Sequence, residues 1–481
     1  MYGIQQAELF SFEELMGMAD EAKYSAILEH VPMGIILHAV SKKSTRGRSE
    51  SLNTRAMMYS LIIGKLEHIR YTKDLIKRLR TSSEFRRLCR FTDSDRVPSE
   101  AAYSRLVARL AQSGVLRHVL DTVVDQAIAA GFLSGEVLAI DSSHIEGFDR
   151  NPKLDEGKTT TSSSPLVDED PALFSADTCT PSQEAKPEKP KRSKRGRIPK
   201  AEWDEWRKQM DAYEASLGFF ERGVADMLPA SYEELARDMP QYPSTGAKGD
   251  PRGTHRVKFW YGYKANLLVD TASQYIVAGE TCSAHVSDQR PAIMLLKRLQ
   301  ERFPDLQVKH VLADKGYDGE AVYRQIRKLG AFPIIPLIHR TKLPLKEDKY
   351  YRPLCEQGHP YRYDSYDPKG GNVKFTRPKE CKECPLQAKG CQKVYKIRIE
   401  TDVRKYTAPG RGSEKFAELF KQRTAIERVF AYLKLYFGMG TTRRLKKRAF
   451  VDLELSYLAY NVSKYALDYL NMNIRLTKQA A

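Results

Sequence analysis

The chain has 481 residues, enough for two or more domains with a sizeable core. Lys and Arg number 79 against 61 Asp and Glu, and the formal net charge of +18 exceeds what solubility requires and favours a polyanionic partner. No apolar run approaches the ~20 residues of a membrane span, the start MYGIQQAELFSFEEL lacks the basic and apolar parts of a signal peptide, and seven unevenly spaced cysteines do not suggest a disulfide framework, so a cytoplasmic protein with no membrane partner is expected.

Residues 1–130 read as helical throughout. MMYSLIIGKLEHI, KDLIKRLRTSSEFRRLCRF and AAYSRLVARLAQSGVLRHVLDTVVDQAIAAGFL repeat apolar residues at spacings of three and four. Ser99, in Val97-Pro98-Ser99, is placed to cap a helix beginning at Glu100. Basic residues crowd Lys65–Arg96, so this region is expected to be a small helical bundle that binds DNA. The alternative is a scaffold or dimerisation bundle with a solvated charged face. No recognition helix can be singled out.

From about residue 135 the pattern changes to alternating strands and helices, an α/β arrangement. VLAIDSS (Val137–Ser143) is an apolar run ending in Asp141, read as a buried strand. His144 follows it, more simply a strand-end residue than a site group. An insertion then spans 151–256. Its first part is polar and Pro-rich and is expected to be a flexible linker. Lys194-Arg195-Gly196-Arg197-Ile198-Pro199-Lys200 resembles a minor-groove Arg-Gly-Arg hook. Ile198 interrupts that pattern, and a solvated basic linker is the preferred reading. An amphipathic helix is predicted over 201–228.

Strands are predicted at 257–269 and 275–282, then a helix over 288–302. HVLADKGYD (His310–Asp318) is a second apolar run ending in an acid, Asp314. A helix over 319–329 and a strand over 332–337 follow. A second insertion, 339–409, holds Cys355, His359, Cys381, Cys384 and Cys391. Cys381-x2-Cys384 has zinc-knuckle spacing, and Cys355 and Cys391 complete a tetrahedral set for a structural Zn²⁺, with His359 able to replace one cysteine. Unliganded thiols in a degenerate module are the alternative. Cys89, Cys179 and Cys282 lie apart and need no special role.

FKQRTAIERVFAYLK (Phe420–Lys434) sets Arg423, Glu427 and Lys434 at spacings of four and seven, on one helical stripe. Ile426, Val429, Phe430 and Leu433 form the adjoining stripe and are expected to face a core. The helix should end before Gly438. Arg443, Arg444, Lys446, Lys447 and Arg448 follow it. Two strand-borne aspartates and a helix-borne glutamate make a metal-binding triad, and hard oxygen ligands favour Mg²⁺ or Mn²⁺. Asp270 and Asp318 are further acids near this set, read as turn or supporting residues rather than ligands.

In three segments the chain resembles the DDE transposases of bacterial insertion sequences. Phe420-x2-Arg423-x3-Glu427-x6-Lys434 matches their Tyr-x2-Arg-x3-Glu-x6-Lys signature except for Phe at the leading Tyr, which costs a hydroxyl. Ala313-Asp314-Lys315-Gly316-Tyr317-Asp318 matches their A-D-x-G-Y-D run. Gly262-Tyr263-Lys264-Ala265-Asn266-Leu267-Leu268-Val269-Asp270 matches the strand after their first aspartate. The resemblance runs from about Ser60 to about Arg448.

The resemblance implies a ribonuclease-H-like catalytic domain over 135–481, a mixed sheet flanked by helices. It is preceded by an all-α domain and interrupted by 151–256 and by the small cysteine-rich insertion. It implies Asp141, Asp314 and Glu427 as catalytic residues holding two divalent ions, which in such sites lie ~3.5–4 Å apart. Asp141 would bridge them. Arg423, Lys434, Arg443, Arg444, Lys446 and Lys447 would contact DNA phosphates. The implied reaction is cleavage at the terminal inverted repeats of an insertion sequence, then strand transfer into target DNA. A homodimer on double-stranded DNA, nucleoid-associated in a bacterium, is the implied assembly. Two rivals stand beside this reading: a nuclease on the same fold without strand transfer, and a domesticated DNA-binding protein derived from a transposase.

Overall fold

The computed structural model describes residues 9–41, 52–147, 186–191, 197–249, 257–340, 344–384, 392–442, 444 and 446–480. Among these, eight helices precede the first strand: α1 (Phe12–Gly17), α2 (Asp20–Glu29), α3 (Met33–Val40), α4 (Thr54–Leu66), α5 (Thr72–Thr81), α6 (Ser83–Leu88), α7 (Glu100–Ser113) and α8 (Val115–Ala129). Their boundaries follow local chemistry. Ser11 and Glu14 form a capping box at α1. Ser99 caps α7 as expected, its hydroxyl accepting from Ala102 N at 3.3 Å. Gly114 ends α7 in the left-handed conformation.

Two compact units divide the chain: Met1–Asp149 with Pro240–Ala481, and Arg150–Met239. The smaller unit contains α9 (Lys200–Ser216) and α10 (Tyr232–Asp238). The helix expected over 201–228 stops at Ser216. Gly218 packs against Asp238, where a Cβ would come within 2.6 Å of Oδ1. Arg222 turns back to donate to Leu217 O at 2.7 Å and Ala215 O at 2.6 Å, satisfying the carbonyls at the helix end.

In the larger unit the strands are β1 (Val137–Gly147), β2 (Ser244–Gly249), β3 (Val257–Asp270) and β4 (Ile276–Ser283). Then come α11 (Gln289–Arg302), β5 (His310–Leu312), α12 (Glu320–Lys328) and β6 (Phe332–Ile334). A separate meander follows, β7 (Arg362–Asp367), β8 (Asn372–Thr376) and β9 (Val394–Arg398). The chain ends with α13 (Glu414–Lys421), α14 (Thr424–Tyr436), the two-residue β10 (Thr441–Thr442) and α15 (Lys447–Ala480).

The main sheet is mixed and central to the site. β3 pairs antiparallel with β1, and β4 antiparallel with β3. β5 pairs parallel with β1, and β6 parallel with β5. β2 continues the β4 edge along the first half of β3, and β10 pairs parallel with the far end of β1. Leu138, Ala139 and Ile140 are fully buried, as an unbroken apolar run predicts. Gly262, at φ 149°, lets β3 cross β1 closely: a Cβ there would lie 2.2 Å from Ile145 O and 2.4 Å from Gly147 N.

α15 packs against α2, α4, α7, α8 and β4. Asn461 on it hydrogen-bonds both backbone groups of Ile276, at 3.0 and 2.8 Å, standing in for a neighbouring strand at the edge of β4. A buried ionic network joins the helices to the sheet. Arg298 on α11 bonds Asp121 on α8 at 2.7 Å and reaches Glu280 on β4 at 3.5 Å. Arg117 on α8 bonds Glu454 on α15 at 2.8 Å. Burial pushes the Asp121 and Glu454 carboxyls up, against the pull of these arginines.

Candidate active site

The geometry starts from strand register. β5 runs parallel to β1 with Val137 opposite His310, Leu138 opposite Val311 and Ala139 opposite Leu312. β5 stops there, while β1 continues. Extending the register by two residues sets Asp314 beside Asp141, and residues in register project to the same face. On that edge, among the described residues, β1 has no paired strand between Ala139, where β5 ends, and Glu146, where β10 joins. Asp141 Oδ1 accepts from Ser142 N at 2.8 Å, and Asp314 Oδ1 accepts from Gly316 N at 2.7 Å.

The third acid arrives on α14. Ile426, Val429 and Leu433 are fully buried and Phe430 nearly so, and the helix packs on β1 and β3. This leaves Glu427 exposed in its first turn. The predicted single helix is divided: α13 ends at Lys421, and Arg423 is the N-cap residue of α14. Thr271 Oγ1 donates to Gln422 Oε1 at 3.1 Å and ties this joint to the β3–β4 hairpin. Gly438 follows α14 at φ 64°.

Arg423 Nη1 donates to Asp141 Oδ2 at 3.0 Å, and Nη2 donates to Glu427 Oε1. One guanidinium therefore spans two of the acids. The Asp141 carboxyl is pushed up to about 6, mainly by burial and further by the Asp314 and Glu427 charges, while Arg423 pulls it down. Phe420 lies 5.9 Å from the Arg423 guanidinium and stacks on Phe416, so its ring supplies a cation–π contact without a hydroxyl.

Lys434 lies in the last turn of α14. Its ammonium is pushed down by burial and by Lys248, and pulled up by Asp141. Lys434, Lys258 and Lys248 also act, after burial, to hold the His144 imidazole down, and His144 stands against Trp260 with ring centroids 5.5 Å apart. A cationic rim therefore borders the acids. The basic residues after α14 fare differently. Arg444 reaches Asp452 at 3.9 Å and Thr72 Oγ1 at 3.3 Å, so its charge is turned inward. Lys446 and Lys447 are exposed, with Lys446 over the Tyr242 ring at 4.8 Å. Arg443 lies outside the described residues.

Asp270 is a turn residue, accepting from Ser273 N at 2.9 Å and Ser273 Oγ at 2.5 Å. Asp318 is fully buried and takes a bidentate Arg404 at 2.8 and 2.7 Å, with Tyr323 and Ile338 N as further donors. Its lone pairs are committed to joining the segment after β6 to the sheet.

Several site residues carry little sequence signal. Asp288, the residue before α11, accepts from Ser142 Oγ at 3.1 Å and Lys264 Nζ at 3.0 Å. Gln289 donates to Gly316 O at 3.2 Å and so braces the turn that follows Asp314. Tyr317 is buried, and the carboxylates of Asp288, Asp141 and Asp314 act on its hydroxyl. Only the motif membership of Lys264 and Tyr317 marked them beforehand.

Among the described residues, no three His, Cys, Asp or Glu side chains are drawn together closely enough to hold a metal ion. For the acids, the Arg423 guanidinium stands between Asp141 and Glu427. Their donor set still fits a hard divalent cation: oxygens alone, mutually repelling carboxylates, and a buried Tyr317 hydroxyl beside them with no hydrogen-bond partner among the described residues. Cys355 and Cys384 are free thiols around the β7–β9 meander, where Cys381 also lies, and Cys355 N bonds His359 O at 2.9 Å. Cys391, the fourth expected zinc ligand, lies outside the described residues, as do Cys179 and residues 194–196 of the basic linker.

Comparison with known proteins bears on identity. Residues 237–462 match the family described as Transposase DDE domain, and residues 13–109 match Transposase domain (DUF772). Asp314 and Glu427 fall inside the first match and Asp141 outside it. No curated protein gives a significant match. A cryo-EM structure of the piggyBac transposase synaptic complex with hairpin DNA aligns over 96% of this chain and 79% of that chain, at 11% identity and a TM-score of 0.34. None of the described helices is long and apolar enough to cross a membrane. With two transposase domains matched in chain order, one before the sheet and one across it, the chain belongs to the DDE transposases of the insertion-sequence type.

Proposed function

We propose that this transposase cleaves DNA at the ends of its insertion sequence and joins the freed 3′ ends to target DNA, with Asp141, Asp314 and Glu427 as the catalytic acids. What supports this is the β1–β5 register, which continued two residues past Leu312 would bring Asp314 level with Asp141, together with the charge coupling of Asp141 to both Asp314 and Glu427. The strand order β4-β3-β1-β5-β6, with only β3 antiparallel to its neighbours, supports a ribonuclease-H-like reading of the domain.

The three acids would hold Mg²⁺ or Mn²⁺, which when bound activates a water or 3′-hydroxyl and neutralises charge at phosphorus. The chain's own groups do the rest. Arg423, released from Asp141 and Glu427 when a cation neutralises them, is free to grip a phosphate through its planar fork. Lys434 and the Lys248–Lys258 rim neutralise the DNA backbone beside it. The Asp288–Ser142–Lys264 hydrogen bonds hold β1, β3 and α11 in register around the acids.

The test uses purified wild type and Glu427→Gln with a supercoiled plasmid carrying the element's ends, in Mg²⁺ or chelator. Metal-dependent nicking and joined products from wild type, absent from the variant, are expected. Cuts without joining would indicate a nuclease, and retained complexes without cuts a DNA-binding protein.

A further inference from the structure

The Tyr317 side chain is the least expected group at this site. The residue is 1% exposed, and its hydroxyl has no hydrogen-bond partner among the described residues. Buried hydroxyls are nearly always paired, because leaving one unpaired forfeits its hydration with nothing in return. The neighbourhood is not apolar. Asp141, Asp314 and Asp288 act on this hydroxyl, and Ser142 Oγ lies close enough to draw on it as a weak acceptor while falling short of hydrogen-bond geometry.

The position is also rigidly specified. Tyr317 N bonds Asp314 O at 3.2 Å, closing the turn that carries the acid. Gln289 holds Gly316 O from α11 at 3.2 Å, and its side chain also lies against Gly319 at the start of α12. The Tyr317 ring therefore cannot easily turn its hydroxyl to solvent. A tyrosine phenol is protonated near neutral pH and can donate.

We propose that Tyr317 is a positioning residue of the cleavage site, its hydroxyl donating to the oxygen of a water or of a DNA 3′-hydroxyl held beside Asp141 and Asp314. The proposal rests on the transposase reading of the acids given above. Ser142 gives its own proton to Asp288, which Lys264 also holds, and Ser142 Oγ, though its lone pairs remain open, is not in hydrogen-bond geometry with Tyr317, so the Tyr317 hydroxyl remains a donor that a ligand can take. An unpaired buried donor in the resting protein lowers stability and is retained where it acts on a ligand.

Tyr317→Phe removes that hydroxyl alone. In full-length protein the metal-free variant is expected to melt at the same temperature as wild type or higher. Single-turnover cleavage of end-bearing DNA at saturating Mg²⁺ should fall by about tenfold or more. Mn²⁺ affinity by titration calorimetry should change by less than about twofold, because the hydroxyl serves the attacking oxygen. Asp288→Asn, which keeps the shape of the neighbouring acceptor, should slow cleavage less than Tyr317→Phe does. A variant that cuts as fast as wild type overturns the proposal, as does a lowered melting temperature, which would reveal a paired hydroxyl. A metal affinity that falls in step with rate also overturns it. Wild type that fails to cut at all removes the underlying reading of the acids instead, and the Tyr317 role with it.

Discussion

Arg423 Nη1 lies 3.0 Å from Asp141 Oδ2, and the same guanidinium's second terminal nitrogen donates to Glu427. A side chain implied by its signature to bind DNA thus neutralises two of the three acids. The arrangement is a competition: the acids can hold Arg423 or a metal ion, and each carries positive charge.

Removing the competitor should therefore tighten metal binding. Arg423→Ala is expected to raise Mn²⁺ affinity by about tenfold, equivalent to roughly 1–2 kcal/mol for a partly buried pair. The same variant should lower the melting temperature of the metal-free protein and abolish productive DNA cleavage. Titration calorimetry on both proteins checks it, and an unchanged or weaker affinity would refute the competition.

The Asp141 carboxyl is held up at about 6 against an ordinary value of 3.8. The folded, metal-free protein keeps a proton there that the unfolded chain has lost. The stability this contributes is complete below 3.8 and disappears as pH rises through 6. Wild type measured against Asp141→Asn should accordingly lose up to roughly 3 kcal/mol between about pH 4 and pH 7. Denaturant melts in chelator at several pH values give the difference directly. A difference independent of pH would show that Asp141 is ionised throughout.

Asp318, four residues after Asp314, should behave as the opposite kind of acid. It is fully buried and held by Arg404 through two bonds of 2.8 and 2.7 Å. Asp318→Asn is expected to cost about 3–5 kcal/mol by leaving that guanidinium without its counter-charge. Metal affinity of the variant, measured below its melting transition, should stay at the wild-type value. Loss of metal binding in a protein that melts normally would make Asp318 a ligand after all.

Gly262 supplies a purely steric test of the sheet. A Cβ placed there meets β1 backbone at 2.2 and 2.4 Å, and its φ of 149° is closed to other residues. Gly262→Ala should lower stability by more than about 3 kcal/mol, through strain and a displaced strand. Expression level and melting temperature report this. A variant that folds with wild-type stability would mean that β1 and β3 do not cross as described.

Much of this was readable along the chain. Short apolar runs ending in Asp141 and Asp314 marked buried strands, and the three-four spacing of Ile426, Val429, Phe430 and Leu433 marked the buried face of α14. Those signals are local, set by how side chains alternate on a strand or recur on a helix. Ser99 and Gly438 were legible for the same reason, since caps depend on one residue and its immediate backbone. The break at Gly218, the added strands β2 and β10, and the roles of α15 were not. Asn461 reads as an interruption in an apolar pattern until it is seen beside Ile276 on β4. By itself the sequence determined the apolar runs that lead into Asp141 and Asp314 and the helix that carries Glu427, because periodicity and capping are short-range; it did not show that β1 continues past Asp141 to Gly147, which leaves that acid in mid-strand. Only the tertiary structure decided that Arg423 bridges Asp141 and Glu427 and that the Tyr317 hydroxyl is buried with no hydrogen-bond partner among the described residues, because those relationships depend on β1, β5 and α14 meeting across long stretches of chain.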